Sequence, residues 1–457
     1  MITQTRRWYN YDNMAAKATK SLKIGFFTDN YLPSRDGISV SVETFREQLE
    51  ALGHEVYVIA PAPGFRYKET NKRVIRFPAF KGLFFDDYLT SFFFPPQALR
   101  RIDKIKLDIV HYHTPGQVGL LGAYYAIRNK LPLVTTYHTD LWEYVLHYKN
   151  VLPGTIALSL MAPVITGGGL NDYRTSLSSI KPERNIDKWN QKIVERGITM
   201  IHNACDQVIA PSHKMEHQLQ SWHAHSPITI LPTGVDKITT STQEIGTWRR
   251  KLDLPDGTPV IIFVGRMGTE KNLELLVKAF EIIVRKLPDV RLLVVGGTGS
   301  LTETAGVEFM AQAHAMDGGD RIIFTGFVPH DKLGGLYGLS TVFAFPSLTD
   351  TQGLVLHEAA MAGLPIVMID RDITEIVANG ENGYYARATP RNFAGKLLQV
   401  LQTPPERRAK MGERSIELAS HFSAGKQAIK LLRLYQEVTE RHYATNPPRR
   451  RRLPWSR

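Results

Sequence analysis

The stretch VFAFPSLTDTQGLVLHEAAMAGLPIVMI, Val342 to Ile369, reads as strand, loop, helix and strand. VFAFPS and PIVMI are short apolar runs of the kind that fill a buried sheet. Between them, Gly353 lets the helix LVLHEAAMAG begin close against a ligand. Units of this kind build parallel sheets covered on both faces, with ligands beyond the carboxyl ends of the strands. The loop SLTDTQ stands at such an end.

The same alternation runs through most of the chain. KIGFFTD (from Lys23) leads to the helix VSVETFREQLEALG, which ends at Gly53, and then to VYVIAP. DIVHYHT, PLVTTYHT, QVIAP and ITILPT follow. After Asp236 the pattern restarts with PVIIFVG, RLLVVGG, RIIFTG, VFAFPS and PIVMI. The expected architecture is α/β: two Rossmann-like, doubly wound parallel-sheet domains facing a central cleft. We expect a leader over 1–20, a first domain over 21–232, a linker over 233–245 rich in Thr, Ser and Gly, and a second domain over 246–403. Helices over 404–443 have no strand to follow them and are expected to cross back to the first domain, before a basic tail over 444–457.

Composition sets bounds on this reading. A chain of 457 residues, 43% hydrophobic, is too long for one ordinary domain. Its single cysteine, Cys205, allows no internal disulfide and fits a cytoplasmic setting. The N-terminal stretch has no apolar run like that of a secretory signal. The uncharged run Val151 to Asn171 approaches bilayer-spanning length, but Pro153, Pro163 and Gly167 to Gly169 would break a spanning helix, so no transmembrane segment is expected. Net charge is +12, with part of the excess in the tail PPRRRRLPWSR. That tail is either a solubilising extension or a contact for an anionic membrane surface. No recognisable nucleic-acid module accompanies the charge, so nucleic acid is not expected as a partner.

Two clusters carry the chemistry. On one continuous helix Asp350 and Glu358 would stand about 12 Å apart along the axis and roughly 80° around it, too far to share a metal or a proton. With Asp350 in the loop and Glu358 in the helix, side chains leaning toward the helix N-terminus bring both acids to one ligand at different points. The free amides of Gly353 and Leu354 suit a phosphate between those points. In FVGRMGTEKN, Arg266 stands at a strand end and Lys271 at a helix start, where cations have no helix-dipole reason to be. They call for an anion, and two such contacts on a departing diphosphate stabilise a transition state without a metal ion. Against this stand the plainer readings of Glu358 as a cap and of the cations as surface charge. VVGGTGSLTE resembles a dinucleotide fingerprint but lacks its third glycine, and Asp370 with Asp372 reads as a polar turn rather than a metal motif.

Taken together these residues resemble glycosyltransferase family 4, the retaining GT-B enzymes that use nucleotide-diphosphate sugars. The resemblance runs from about Leu22 to Tyr443 and rests on the acid pair with seven residues between, preceded by Arg266 and Lys271. It implies that Glu358 holds the ribose, that Asp350 and the Thr351 to Leu354 backbone hold the donor sugar, and that Arg266 and Lys271 hold the diphosphate. It sets Val328 of TGFVP against the base, Gly37 of SRDGIS close to the phosphate, and His138 of YHTDLWEY near the transferred sugar and the acceptor. His111 and His113 of HYHTP have weaker claims. Asp350 departs from the usual glutamate, and SRDGIS has one glycine where many relatives have two. By the same resemblance the reaction is a front-face attack in which the leaving phosphate takes the acceptor proton.

Between Phe65 and Lys106 cations interleave with many Phe, the makeup of a segment resting on an acidic membrane. HTP, GLLG, YHTDLWEYVLHY and SLTDTQGLVLHEAAMAGLP most resemble the glucosyltransferases acting on diacylglycerol. The expectation is a retaining, metal-independent glycosyltransferase without a cofactor, moving glucose from the nucleotide sugar UDP-glucose to a lipid acceptor, peripheral on the inner face of the cell membrane. The alternatives are a phosphatidylinositol mannosyltransferase or another glycosyltransferase acting on a different lipid or small acceptor, a catalytically silent sugar-nucleotide or membrane-binding module, and a sugar-nucleotide epimerase.

Overall fold

The structure is a computed structural model that describes residues 21–34, 36–64, 66–81, 89–91, 94–148, 151–298 and 303–446. The leader, Arg35, part of the Phe-rich stretch (65, 82–88, 92 and 93), the end of the glycine-rich VVGGTGSLTE stretch (299–302) and the tail beyond Asn446 lie outside the described residues.

The first lobe holds strands β1 (Lys23–Phe27), β2 (Glu55–Pro61), β3 (Val74–Phe77), a short antiparallel pair β4 (Phe80–Lys81) and β5 (Leu89–Thr90), then β6 (Ile109–Tyr112), β7 (Leu133–Thr136), β8 (Gln207–Ala210) and β9 (Ile228–Ile230). Its parallel sheet runs β3-β2-β1-β6-β7-β8-β9. The second lobe holds β10 (Val260–Val264), β11 (Arg291–Val295), β12 (Ile322–Gly326), β13 (Val342–Phe345), β14 (Ile366–Met368) and β15 (Gly383–Tyr385). They form a second parallel sheet in the order β12-β11-β10-β13-β14-β15. The central strands are buried from end to end, β6, β7, β10 and β13 throughout. Continuous apolar runs are what two covered faces require.

Each strand order reverses once, between β1 and β6 in the first lobe and between β10 and β13 in the second. At such a switch point adjacent loops part and leave a crevice. Arg266 and Lys271 follow β10, and Asp350 and Gly353 follow β13. Across from them Gly37 follows β1 and His113 follows β6.

Two strands enlarge the expected sheets. In β3 the alternating residue is Arg76, whose guanidinium pairs with Glu69 at 2.9 Å, bonds the carbonyls of Pro61 and Leu32, and lies 5.0 Å over the Tyr31 ring. Phe77 of the same strand is fully buried against Phe94 at 4.9 Å. Part of the Phe-rich stretch is therefore an edge of the core. Strand β15 is three residues at the other sheet's edge.

Between β7 and β8 stand four helices, Leu141–His147, Leu152–Thr166, Leu170–Ser179 and Ile186–His202. Pro153 occupies the first turn of the second, where its missing N–H costs nothing, and Gly167 closes it in a left-handed conformation at φ 68°. Pro163 lies within the final turn and does not break it. Among the described residues no helix is long and apolar enough to cross a membrane.

From Leu231 to Ser241 the chain has no regular structure, and a helix begins at Thr242. The final helix, Ala424–Thr445, buries Leu431, Tyr435 and Val438 among Val42, Phe45 and Leu49 of the first lobe. The two connections between the lobes cross so closely that a Cβ on Gly234 would fall 2.6 Å from the Ala424 backbone.

Candidate active site

The turn Thr269–Lys271 after β10 is pinned to the loop after β13. Thr349 Oγ1 donates to the Glu270 carbonyl at 2.9 Å, and Asn272 Nδ2 donates to the Pro346 carbonyl at 3.1 Å. This seam sets the Lys271 ammonium 2.7 Å from Oδ1 of Asp350. The other oxygen, Oδ2, is buried and makes no hydrogen bond. Burial alone would raise the Asp350 pKa. The Lys271 charge, the Ser347 hydroxyl and the more distant Lys214 reverse that and hold it below the usual carboxylate range. A charged acid with one oxygen unclaimed is an acceptor for a ligand hydroxyl.

Arg266, between β10 and that turn, has a side chain 61% exposed, with Nη2 3.5 Å from Glu270 Oε1. That Glu270 oxygen is buried without a hydrogen bond, and its other oxygen takes the Tyr148 hydroxyl from the first lobe at 2.9 Å. Arg266 and Lys271 thus follow the same strand, one beside Glu270 and one anchored on Asp350.

Gly353 holds φ 70°, a left-handed conformation, at the start of the helix Leu354–Met361, and no side chain caps that end. A Cβ there would also sit 2.9 Å from Leu356 Cδ1. A Cβ on Gly37 would lie 3.8 Å from Leu354 Cδ1, which brings the start of the first-lobe helix Gly37–Ala51 over this helix end. Thr351 spends its side chain between the lobes, donating to the His138 carbonyl at 2.8 Å, while its carbonyl takes the Ser212 hydroxyl at 2.5 Å.

Glu358 is buried in the helix, as the apolar sequence around it predicts. Tyr337 donates to its Oε2 at 2.9 Å and His330 Nε2 lies 3.0 Å from Oε1. Neither partner was visible in the sequence, since both belong to a separate segment after β12. Val328 turns its side chain into the core beside Leu336 and Tyr337, and the side chain exposed at that turn is Phe327.

His138, two residues beyond β7, is stacked on His113, with ring centroids 5.3 Å apart and a 3.0 Å contact between Nε2 and His113 Nδ1. Burial pushes its pKa down to about 4, with Asp36 opposing, so it is neutral at physiological pH. His111 is stacked behind His113 and tied to Tyr435 at 2.6 Å and Thr136 at 2.8 Å, a structural role. Asp372 N donates to Asp370 Oδ1 at 3.1 Å, closing the polar turn, and Asp370 Oδ2 takes Lys214 Nζ from the first lobe at 3.1 Å. Lys214 also reaches the Leu348 and Asp350 carbonyls. Among the described residues no group of three or more His, Cys, Asp or Glu could hold a metal ion. A cavity of about 360 Å³ opens beside Lys214, between Trp142 and Asp140 of one lobe and Leu348 of the other.

Comparison with known proteins gives these lobes relatives. Residues 35–237 match the model described as Glycosyltransferase Family 4, and residues 244–418 match Glycosyl transferases group 1. The chain is 29% identical over 395 residues to an alpha-monoglucosyldiacylglycerol synthase of Acholeplasma laidlawii, covering 84% of this chain and 89% of that one. It is 25% identical to the protein of that name from Streptococcus pneumoniae, covering 84% and 79%. Among solved structures, the Anabaena protein HepE in complex with UDP and glucose superposes with a TM-score of 0.65 at 16% identity, over 91% of this chain and all of that one.

Proposed function

The chain belongs to glycosyltransferase family 4, with the GT-B fold, and from that premise we propose that it moves glucose from UDP-glucose to the 3-hydroxyl of diacylglycerol. The observation that carries the reading is the Lys271–Asp350 pair at the switch point between β10 and β13, with one carboxylate oxygen left for a sugar hydroxyl. Arg266, Lys271 and the amides at Gly353 and Leu354 take the diphosphate. Glu358 takes the ribose diol, the Val328 turn lies toward the base, and Gly37 closes over the phosphates. His138, neutral, hydrogen-bonds the transferred sugar or the acceptor.

The reaction retains configuration. The acceptor oxygen attacks the anomeric carbon from the face the diphosphate leaves, the carbon–oxygen bond to phosphate breaks, and the acceptor proton passes to the departing phosphate oxygen. The two cations stabilise the charge that develops on the diphosphate, so no divalent ion is required. The first lobe receives the acceptor and the second the nucleotide, as the 21–232 and 246–403 division expects. The protein works at the inner face of the cell membrane as a peripheral enzyme.

The test offers a panel of nucleotide sugars and extracted lipids to the purified chain, with and without EDTA, and identifies products by mass and anomeric NMR. An α-glucosyl diacylglycerol formed from UDP-glucose in EDTA supports the reading. A different glycolipid replaces the substrate assignment, and intact donor with no product from any pair overturns the enzyme.

A further inference from the structure

The helix Leu152–Thr166 contains no charged residue and shows apolar side chains on both faces. Leu158, Ala162 and Ile165 face the core, while Leu160, Met161 and Val164 are exposed. The next helix, Leu170–Ser179, repeats this: Leu170, Tyr173 and Leu177 share one outward face, with Leu170 79% exposed. The helices are joined by Ser159 and Ser179, whose hydroxyls lie 3.1 Å apart. With Ile186, this hairpin carries seven of the sixteen large hydrophobic side chains exposed among the described residues. Such a concentration marks an interaction surface rather than scattered surface apolarity. Exposed cations accompany it, Arg174, Lys181, Arg184 and Lys188, while the exposed acid Glu183 is taken up by Lys192.

We propose that this two-helix face docks the protein on an anionic lipid bilayer, with its apolar side chains at the acyl boundary and its cations among the headgroups. The inference rests on the diacylglycerol reading for its purpose and on the exposed chemistry for its place. The uncharged helix begins four residues after Tyr148, which bonds Glu270 across the lobes, and runs about 22 Å from there. A lipid lying under that face presents its hydroxyl to the cleft while its acyl chains stay in the bilayer. In the Phe-rich stretch Phe77 is buried and Phe80 is exposed, while Phe65, Phe84, Phe85, Phe92 and Phe93 lie outside the described residues.

The test compares the full chain with a Val164→Glu/Leu170→Glu variant and with an Arg66→Glu/Lys68→Glu control. Each is floated with vesicles of phosphatidylglycerol and phosphatidylcholine, and of phosphatidylcholine alone. All substituted side chains are exposed, and unchanged melting curves establish that the variants fold. The expected result is binding to the anionic vesicles that falls about tenfold or more in the first variant and little in the control. Transfer to a short-chain, soluble diacylglycerol is unchanged in the first variant, while transfer to vesicle-embedded acceptor falls with binding. Equal vesicle binding by wild type and the first variant overturns the proposal, as does a wild-type dimer that this variant dissociates, because the face would then be covered by a second copy. A chain that binds vesicles through this face but glucosylates no lipid keeps the docking surface and removes the substrate reading.

Discussion

The Lys271 ammonium lies 2.7 Å from Oδ1 of Asp350, so the cation assigned to the phosphate and the acid assigned to the sugar hold each other in place. Each is thereby fixed before a donor arrives, and neither needs to reorganise when charge develops on the leaving diphosphate.

Lys271→Met is expected to lower the transfer rate more than about 10²-fold, as loss of a preorganised cation does. It also leaves Asp350 buried without its partner, at a cost of about 2 kcal/mol or more. Adding Asp350→Asn removes the stranded charge. Urea melts should then show recovered stability in the double variant, while the transfer assay shows no recovered rate.

Tyr337→Phe removes the 2.9 Å hydrogen bond to Glu358 but keeps the ring in the core. Glu358 keeps His330 and loses its fixed orientation. The expected outcome is a rise of about tenfold in KM for the donor with kcat changed much less, the pattern of lost binding shared by ground and transition states. Steady-state kinetics at saturating acceptor measure it.

Gln352 ties the second lobe to the linker, donating to the Thr233 carbonyl at 2.7 Å and accepting from the Thr233 amide at 2.9 Å, and Thr233 Oγ1 lies 2.6 Å from Ser41 Oγ of the first lobe. Removing both bonds in Gln352→Ala weakens this joint between the second lobe and the linker by about 1–2 kcal/mol. Small-angle scattering should show a larger radius of gyration for the variant alone, and a return toward the wild-type value in saturating UDP.

Acid destabilises this protein through its buried histidines. Burial pushes His138 and His357 down to about 4 and His202 to about 3, and holds His111 and His113 well below 6.5. Well above pH 6.5 all are neutral in both states. As the pH falls below that value the unfolded chain takes up protons that the folded one refuses, and each such histidine removes about 1.4 kcal/mol per pH unit. Asp29 acts in the opposite sense: burial raises its pKa to about 6, so between about 6 and 4 the folded state holds the extra proton and gains stability as pH falls. Urea midpoints should therefore drop from pH 6.5 toward 5. His357→Gln, placed beside Thr374 and Phe422, should flatten that slope by about one proton.

The central strands of both sheets were legible because strands covered on both faces become continuous apolar runs, as VIIFV and VFAF do. The edge strand VIRF was not, since Arg76 reads as a surface cation until Glu69 and the two carbonyls are seen around it. Arg266, Lys271, Asp350 and Gly353 could be placed from strand-end positions alone. Their partners could not: His330 and Tyr337 at Glu358, and Thr351 against the His138 carbonyl, are meetings between distant segments that carry no local pattern. In the run Val151 to Asn171, Pro153, Pro163 and the glycines argue against a bilayer-spanning helix and equally hide a surface helix apolar on both faces.

The central claim is that the second lobe clamps a diphosphate between cations while acids hold the sugars on either side. A crystal structure of the chain with UDP-glucose tests it most directly. The account predicts the diphosphate within hydrogen-bonding distance of Arg266 and Lys271, the ribose diol at Glu358 and the glucose at Asp350. A nucleotide bound away from the β10–β13 switch point, or one whose phosphates touch neither cation, would contradict it.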